Sequence, residues 1–377
     1  MTDMVFGEVD WNAADSGGTK SSFMRLEEGE NTVRVMGNPV QFYIHWLVKP
    51  DGSRQKVNSP IDAPDLVRRL EDSGFRRQPR WLIKILDRSD GGFVSGGVGV
   101  GEGLVLLGTT RGNVIALALS DGSERWRTYV GSEIGAMPVA AQGRVFAQTI
   151  DGELLALDAD TGEQLWSYSS QVPLLTLRGT STPVTSRDIV YAGFASGKVV
   201  GLRASNGEPI WDQRIMLPEG RSELERIVDV DAAPLLVGGD VYAQAYQGRM
   251  MRIAARDGRP RWEAEVSSFQ NLAEGYSQIY AVEEKDTVTA VDQSRGDVVW
   301  QHDLLARRSL TAPLAFSNYV VVGDAEGYLH VMAQRDGRMM GRTKVGGEGL
   351  CTPFTLADGT IYVLDNAGGL HAYSVST

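Results

Sequence analysis

Short apolar runs separated by glycine turns recur along most of the chain. Residues 144–158, 189–203 and 319–333 each hold two runs rich in β-branched and aromatic residues, separated by Asp-Gly, Ser-Gly and Glu-Gly respectively. Such runs around a tight turn are typical of two antiparallel strands. From about Val94 to the C-terminus, the pattern therefore predicts an all-β structure built from repeated hairpins.

Each repeat continues into a second phrase, in which an apolar strand is followed by a glycine turn and then by a tryptophan. The tryptophans of five copies are Trp126, Trp166, Trp211, Trp262 and Trp300. A sixth copy has Gly341 at this position, and a seventh unit over 352–375 lacks the phrase. The copies are 38 to 51 residues apart, which suits one four-stranded blade per repeat. We predict a β-propeller of about seven blades over residues 94–377, with the tryptophans packed between blades.

Residues 1–93 break this pattern and predict a small, separate α+β segment. Strand-like runs occur at 31–36 and 40–48, and 62–74 has the composition of a short helix that Asp62 caps. The chain before the first blade of a propeller often supplies the outer strand of the last blade. We therefore expect the apolar run 80–86 to close the ring, and we place the domain boundary between residues 93 and 94.

Charge and cysteine content narrow the chemistry. The net charge is −11, of which residues 1–93 carry −1, so any contact with a polyanion is expected in this N-terminal part. Cys351 is the single cysteine, so no intramolecular disulfide can form. The four histidines, His45, His302, His330 and His371, show no metal-ligand spacing. We predict no catalytic residues, no metal and no cofactor.

Residues 94–377 resemble the BamB family of propeller lipoproteins of the bacterial outer-membrane β-barrel assembly machine. Beyond the repeat phrase, the resemblance rests on the segments LLTLRGTSTP at 174–183 and ERIVDVDAAP at 225–234. It implies a non-enzymatic scaffold that docks the periplasmic domains of the barrel-inserting subunit. Family members lie at the periplasmic face of the outer membrane on a lipid-anchored cysteine. The first residues show neither an export signal nor such a cysteine, so the chain as written is expected in the cytoplasm, without a membrane span.

The resemblance also implies which residues dock the partner. The motif positions are Leu175, Leu177 and Arg178 in the first segment and Asp229 and Asp231 in the second. Leucines on a loop offer apolar anchors, while Arg and Asp form oriented charged hydrogen bonds that fix the register of an interface. The alternative is that Arg178 and the two aspartates pair with one another and only brace neighbouring blades.

Residues 1–93 resemble, more weakly, phage single-stranded-DNA-binding proteins with an OB-type barrel. Such proteins stack bases on aromatic rings and follow the backbone with basic residues. The candidates that the resemblance implies are Arg34, Tyr43, Trp46, Lys49, Arg54 and Lys56. In this alternative function, single-stranded DNA is the partner and the propeller is a passenger.

Two further alternatives remain open from the sequence. The Gly-to-Trp phrase also resembles quinoprotein dehydrogenases, but a single cysteine excludes the adjacent cysteine pair that many of those enzymes carry over their cofactor. The two dissimilar parts are also what an artificial fusion would produce. The BamB-like scaffold is the function that the residues favour, with DNA binding second.

Overall fold

The computed structural model describes the backbone of residues 6–8, 33–35, 38–40, 42–48, 54–60, 76–79 and 94–96. It describes backbone and side chains over 97–171, 173, 180–216, 228–357, 359–367 and 369–373, and the backbone of 374–375. All statements below on structure refer to these residues.

Six described strands lie before residue 94. They are β1 (Phe6–Glu8), β2 (Val33–Val35), β3 (Asn38–Val40), β4 (Phe42–Val48), β5 (Arg54–Pro60) and β6 (Arg76–Pro79). β2 and β3 form a hairpin, and β4 lies between β5 and β6 in a three-stranded sheet. The strands predicted at 31–36 and 40–48 are confirmed, whereas the predicted helix at 62–74 lies outside the described residues.

Six antiparallel sheets of four consecutive strands follow, each one blade. The strands of the first three blades are β7 (Val94–Gly101), β8 (Leu104–Thr109), β9 (Asn113–Ala118), β10 (Glu124–Tyr129); β11 (Val139–Ala141), β12 (Arg144–Gln148), β13 (Glu153–Asp158), β14 (Gln164–Ser169); β15 (Val184–Ser186), β16 (Ile189–Phe194), β17 (Lys198–Arg203), β18 (Pro209–Arg214). Those of the next three are β19 (Leu235–Val237), β20 (Asp240–Gln244), β21 (Met250–Ala254), β22 (Pro260–Ala264); β23 (Ala273–Gly275), β24 (Gln278–Val282), β25 (Val288–Asp292), β26 (Val298–His302); β27 (Leu314–Phe316), β28 (Tyr319–Gly323), β29 (Tyr328–Ala333), β30 (Met339–Lys344).

The seventh blade combines the two ends of the chain. Its strands β31 (Thr355–Ala357), β32 (Thr360–Leu364) and β33 (Leu370–Val375) are joined at the outer edge by β1. β1 runs antiparallel to β33, with Phe6 opposite Val375 and Glu8 opposite Tyr373. Seven four-stranded blades are therefore present in the described part of the chain, as predicted.

The expectation that residues 80–86 supply this outer strand is wrong. Residues 6–8 occupy the position instead, and 80–86 lie outside the described residues. The physical reasoning behind the expectation holds, because the last blade does take its outer strand from the N-terminal part. Several short apolar runs were available there, and the position nearest to the first blade was not the one used.

The recurring tryptophans lie between blades, as predicted. Each indole Nε1 donates a hydrogen bond to a carbonyl of the next blade, in the turn between that blade's third and fourth strands. The five bonds are Trp126 to Ala159 (2.8 Å), Trp166 to Ala204 (3.0 Å), Trp211 to Ala255 (2.9 Å), Trp262 to Gln293 (3.0 Å) and Trp300 to Gln334 (2.8 Å). The ring then covers the turn glycine, so a single side chain joins two blades.

The turn glycine is required for this packing. A Cβ on Gly207 would lie 2.6 Å from Cε3 of Trp166, and the φ of Gly207 is +74°, which side chains rarely allow. Gly341 replaces the sixth tryptophan for a related reason. The seventh blade takes its fourth strand from β1, so its third and fourth strands are not joined by a glycine turn. A sixth indole would lack the surface on which the others pack.

Gly207→Ala is expected to destabilise the protein by about 2–4 kcal/mol, combining backbone strain with overpacking against Trp166. Gly143→Ala is the matched control, because Gly143 also has a positive φ (+71°) but nothing within 4 Å of an added Cβ. The control should cost only about 1 kcal/mol. Urea denaturation of both variants measures the difference, and equal losses would show that the Gly–Trp contact adds nothing.

The antiparallel order gives the propeller two different faces. The turns between second and third strands lie on the same side as the connections from each fourth strand to the next blade. We call this side the connection face. The turns that the tryptophans cover, between third and fourth strands, lie on the opposite side. The tryptophan contacts between blades are therefore on one face of the propeller and the connections are on the other.

Candidate functional site

The two segments that resemble the BamB docking loops lie in the two longest of the connections that join the first blade to the second, and so on up to the seventh. One joins β14 to β15 over 170–183, and the other joins β18 to β19 over 215–234. The structure describes 180–183 of the first motif segment and 228–234 of the second. Long connections held on a rigid scaffold are where binding residues most often lie.

Glycines in neighbouring strands and connections let these two segments pack closely. A Cβ on Gly193 of β16 would collide with the side chain and carbonyl of Val230, and one on Gly135 would collide with Thr180. The hydroxyl of Ser181, which is fully buried, donates a 3.0 Å hydrogen bond to the carbonyl of Ala232. The described parts of the two connections, 180–183 and 228–234, therefore pack against blades 2 and 3 and are bonded directly to each other.

The two predicted docking aspartates differ in their surroundings. Asp229 is fully buried, and its carbonyl accepts a 2.9 Å hydrogen bond from the amide of Tyr246. Asp231 is only partly buried. Burial, and to a smaller extent the charge of nearby Asp229, raise the pKa of Asp231 from 3.8 to about 7. Asp229 is thus enclosed by the fold and contributes a backbone contact, whereas Asp231 is partly exposed and its charged form is poorly solvated.

For the other predicted site residues, the structure describes either the backbone alone or nothing. Leu175, Leu177 and Arg178 lie outside the described residues, so their docking role stays a prediction. Lys49 also lies outside them. Arg34, Tyr43, Trp46, Arg54 and Lys56 lie on β2, β4 and β5, where the structure describes the backbone alone, with Trp46 opposite Lys56 in the register.

A small cavity lies directly behind the two connections. Its volume is about 10 Å³, and its lining includes Gln148, Thr180, Ser181, Val230 and Asp231. The sequence reasoning missed Gln148 and Thr180. Gln148 is the last residue of β12, directly after Val145, Phe146 and Ala147, and a polar residue at the buried end of this apolar run was a signal that could have been noticed.

A second polar cluster lies on the same face, where the connection after β26 meets blade 6. Asp324 is fully buried, and its Oδ2 accepts bonds from Arg308 Nε and pairs with His330 Nε2, both at 2.7 Å. Its Oδ1 accepts the amides of Glu326 (3.0 Å) and Tyr328 (2.9 Å). Burial alone would raise the pKa of Asp324, but these hydrogen bonds outweigh it and lower the pKa below its ordinary 3.8.

No cluster of three or more His, Cys, Asp or Glu side chains suited to a metal ion occurs among the described residues. Within the same residues, no helix is long and apolar enough to span a membrane.

The fold and the paired connections define a β-propeller of the binding-scaffold class. A family model described as outer membrane protein assembly factor BamB matches residues 64–302 and 284–377. The chain belongs to this BamB family. The match begins at residue 64, ahead of the predicted domain boundary, and the division of the chain at residue 93 stays a prediction.

Individual relatives agree with the family match. The chain is 45% identical to the outer membrane protein assembly factor BamB of Pseudomonas aeruginosa, over 75% of this chain and 74% of the relative. It is 34% identical to BamB of Shewanella oneidensis over 97% of this chain and 88% of the relative, an alignment that extends through most of residues 1–93. The crystal structure of BamB from Moraxella catarrhalis superposes with a TM-score of 0.71 and 27% identity, covering 75% of this chain and 85% of that one.

These matches decide between the alternatives left open by the sequence. The relatives are assembly factors and not enzymes, so the quinoprotein alternative is not favoured. They give no support to the resemblance of residues 1–93 to single-stranded-DNA-binding proteins. A relative that aligns through both parts of the chain also speaks against an artificial fusion.

Proposed function

We propose that this chain is an outer-membrane protein assembly factor that acts as a non-enzymatic scaffold. It docks the periplasmic domains of the barrel-inserting subunit through the connections 170–183 and 215–234. The observation that carries the proposal is the pairing of these two longest connections by the Ser181–Ala232 hydrogen bond on one face of the propeller. Leu175, Leu177, Arg178 and Asp231 form the docking surface, and Asp229 supports it from below.

The scaffold contributes rigidity to the docking step. Residues 180–183 and 228–234, at the ends of the connections, are already packed before binding, so fixing them in the complex costs little conformational entropy. The apolar anchors Leu175 and Leu177 supply buried area, and Arg178 with Asp231 selects the orientation of the partner. No covalent step is required of the propeller.

Arg178→Glu is expected to weaken docking at least tenfold, because it replaces a cation of the first docking segment with an anion that repels any acidic group of the partner. Binding of the purified chain to the periplasmic domains of the Pseudomonas aeruginosa barrel-inserting subunit is measured by calorimetry. Arg335→Glu is the matched control, since Arg335 is an exposed residue in the turn on the opposite face.

The proposal fails if the folded parent chain does not bind these domains, or if both charge reversals leave the affinity unchanged. Loss of binding in Arg178→Glu alone supports docking through the connection face. Circular dichroism of each variant shows that the propeller remains folded.

A further inference from the structure

The cavity behind the docking connections contains polar atoms that the protein itself does not satisfy. Gln148 is 2% exposed, and its Nε2 donates a 2.7 Å hydrogen bond to the carbonyl of Gly193. This bond fixes the orientation of the amide, because the opposite orientation would place two carbonyl oxygens together. Gln148 Oε1 is buried without a hydrogen-bond partner among the described residues, and so is the hydroxyl Oγ1 of Thr180.

The size and the chemistry of the cavity both select one ligand. Its volume of about 10 Å³ is close to the roughly 10–15 Å³ that a single water molecule needs. Buried waters typically make about three hydrogen bonds to groups that would otherwise be unsatisfied. Gln148 Oε1 is one acceptor and the Thr180 hydroxyl is a donor, and Asp231, which lines the same cavity, offers a carboxylate as the second acceptor. A water molecule donates two hydrogen bonds and accepts at least one, so it matches all three.

We propose that this cavity is a binding site for one internal water molecule, which links Gln148, Thr180 and Asp231. The water joins the second strand of blade 2 to both docking connections. It also supplies a hydrogen bond to a carboxylate that burial and Asp229 otherwise disfavour. Its role is to hold the connections 170–183 and 215–234 in one arrangement and to keep Asp231 able to ionise.

The proposed water site is separate from the direct hydrogen bond between the two connections. Ser181 and Ala232 are linked by protein atoms alone, so their contact persists without the water. Gln148 lies on β12 and is almost completely buried, so it cannot touch a docked partner. An effect of Gln148 on docking would therefore act through the water and Asp231.

Two variants test the site. Thr180→Val removes the donor with little change in shape. Gln148→Met keeps a similar side-chain length and removes the acceptor Oε1 together with the Nε2 bond to Gly193, so Thr180→Val is the more specific of the two. Thr355→Val, at an exposed position of β31, is the matched control. Magnetic relaxation dispersion of water oxygen-17 counts long-lived internal waters, and carbon-13 NMR of the Asp231 carboxyl gives its pKa.

We expect both variants to lose one long-lived water and to raise the pKa of Asp231 above its value in the parent, whereas Thr355→Val changes neither. A high-resolution crystal structure of the parent should place a water between the three side chains. The proposal is overturned if the count of internal waters and the pKa of Asp231 are the same in the parent and in both variants.

The effect on docking rests on the proposed function, whereas the water site does not. We expect Thr180→Val and Gln148→Met to weaken docking by about fivefold, the order of one lost water-mediated contact. Failure of the parent to dock would refute the proposed function, while the relaxation and pKa measurements would still decide the water site. If the variants lose the water but bind the partner as tightly as the parent does, the water site does not affect docking.

Discussion

Asp231→Asn is expected to stabilise the free protein at pH 8 while it weakens docking. The difference between the ordinary pKa of 3.8 and about 7 in the fold corresponds to roughly 4 kcal/mol against the charged form. Partial exposure of Asp231 reduces this cost, so we expect a gain of about 2–4 kcal/mol in the free energy of unfolding. Asparagine keeps the shape of the side chain and removes the charge.

The pH dependence follows from the raised pKa. Between pH 4 and pH 7 the folded protein holds a proton on Asp231 that the unfolded chain has released, so the stability of the parent falls as the pH rises through this range. Above pH 7 the penalty is complete, and below pH 4 the carboxyl is neutral in both states. The advantage of Asp231→Asn should therefore be small at pH 4 and full at pH 8.

The substitution Asp231→Asn should weaken binding to the partner although it stabilises the free protein. A carboxylate that is poorly solvated in the free protein binds a cationic group of the partner more readily than a fully hydrated one. We expect Asp231→Asn to weaken docking by about tenfold to a hundredfold at pH 8, and the affinity of the parent to rise with pH through about 7. Residues that serve binding often destabilise the free protein, and Asp231 would be such a residue.

Urea denaturation at pH 4, 6 and 8 and calorimetric titration at pH 8 measure these two effects. Asp303→Asn, which removes an exposed carboxylate in the connection after β26, is the control. A variant that is less stable than the parent at pH 8 would contradict the burial penalty. A stabilised variant with unchanged docking would place Asp231 outside the interface.

Asp324→Ala should produce the largest loss of stability, about 3–5 kcal/mol. The side chain satisfies Arg308, His330 and two backbone amides, and removing it leaves these groups without their partner in a buried site. Asp336→Ala is the matched control, because Asp336 also accepts the amide two residues later, from Arg338, but in an exposed turn. That change should cost about 1 kcal/mol or less.

Acid titration gives a second measure of Asp324. Because its pKa is lowered in the fold, Asp324 stabilises the protein at pH values above about 3.8 and loses this effect as the pH falls through its folded pKa. Asp324→Asn keeps the shape but cannot be protonated in this range, so its stability should depend less on pH below 4. If the stability of the parent and of Asp324→Asn falls equally as the pH is lowered, Asp324 is not ionised in the folded protein.

The repeat structure was predictable from the sequence because it depends on local patterns. Asp-Gly and Ser-Gly turns specify hairpins, and the interval between Trp166 and Trp211 specifies one blade. The packing role of the tryptophans was predictable for the same reason, since a large apolar side chain at the same place in five successive blades must face the neighbouring blade.

The ring closure and the site could not be predicted in the same way. Pairing of β1 with β33 joins the two ends of the chain, and no local pattern distinguishes residues 6–8 from residues 80–86 for this position. Gln148 and Thr180 are 32 positions apart in the sequence, and each alone is an ordinary polar residue. Their relation to Asp231 arises only where blades 2 and 3 bring three segments around one cavity.

The sequence by itself determined the class of fold, the number of blades and the two connections that resemble docking loops, because hairpins and repeats are encoded between near neighbours. Only the tertiary structure decided which strand closes the seventh blade, that Asp229 is fully buried while Asp231 is partly buried, and that Ser181 binds the two connections together. These features depend on burial and on contacts between distant residues. Both are properties of the packed blades and not of any single repeat.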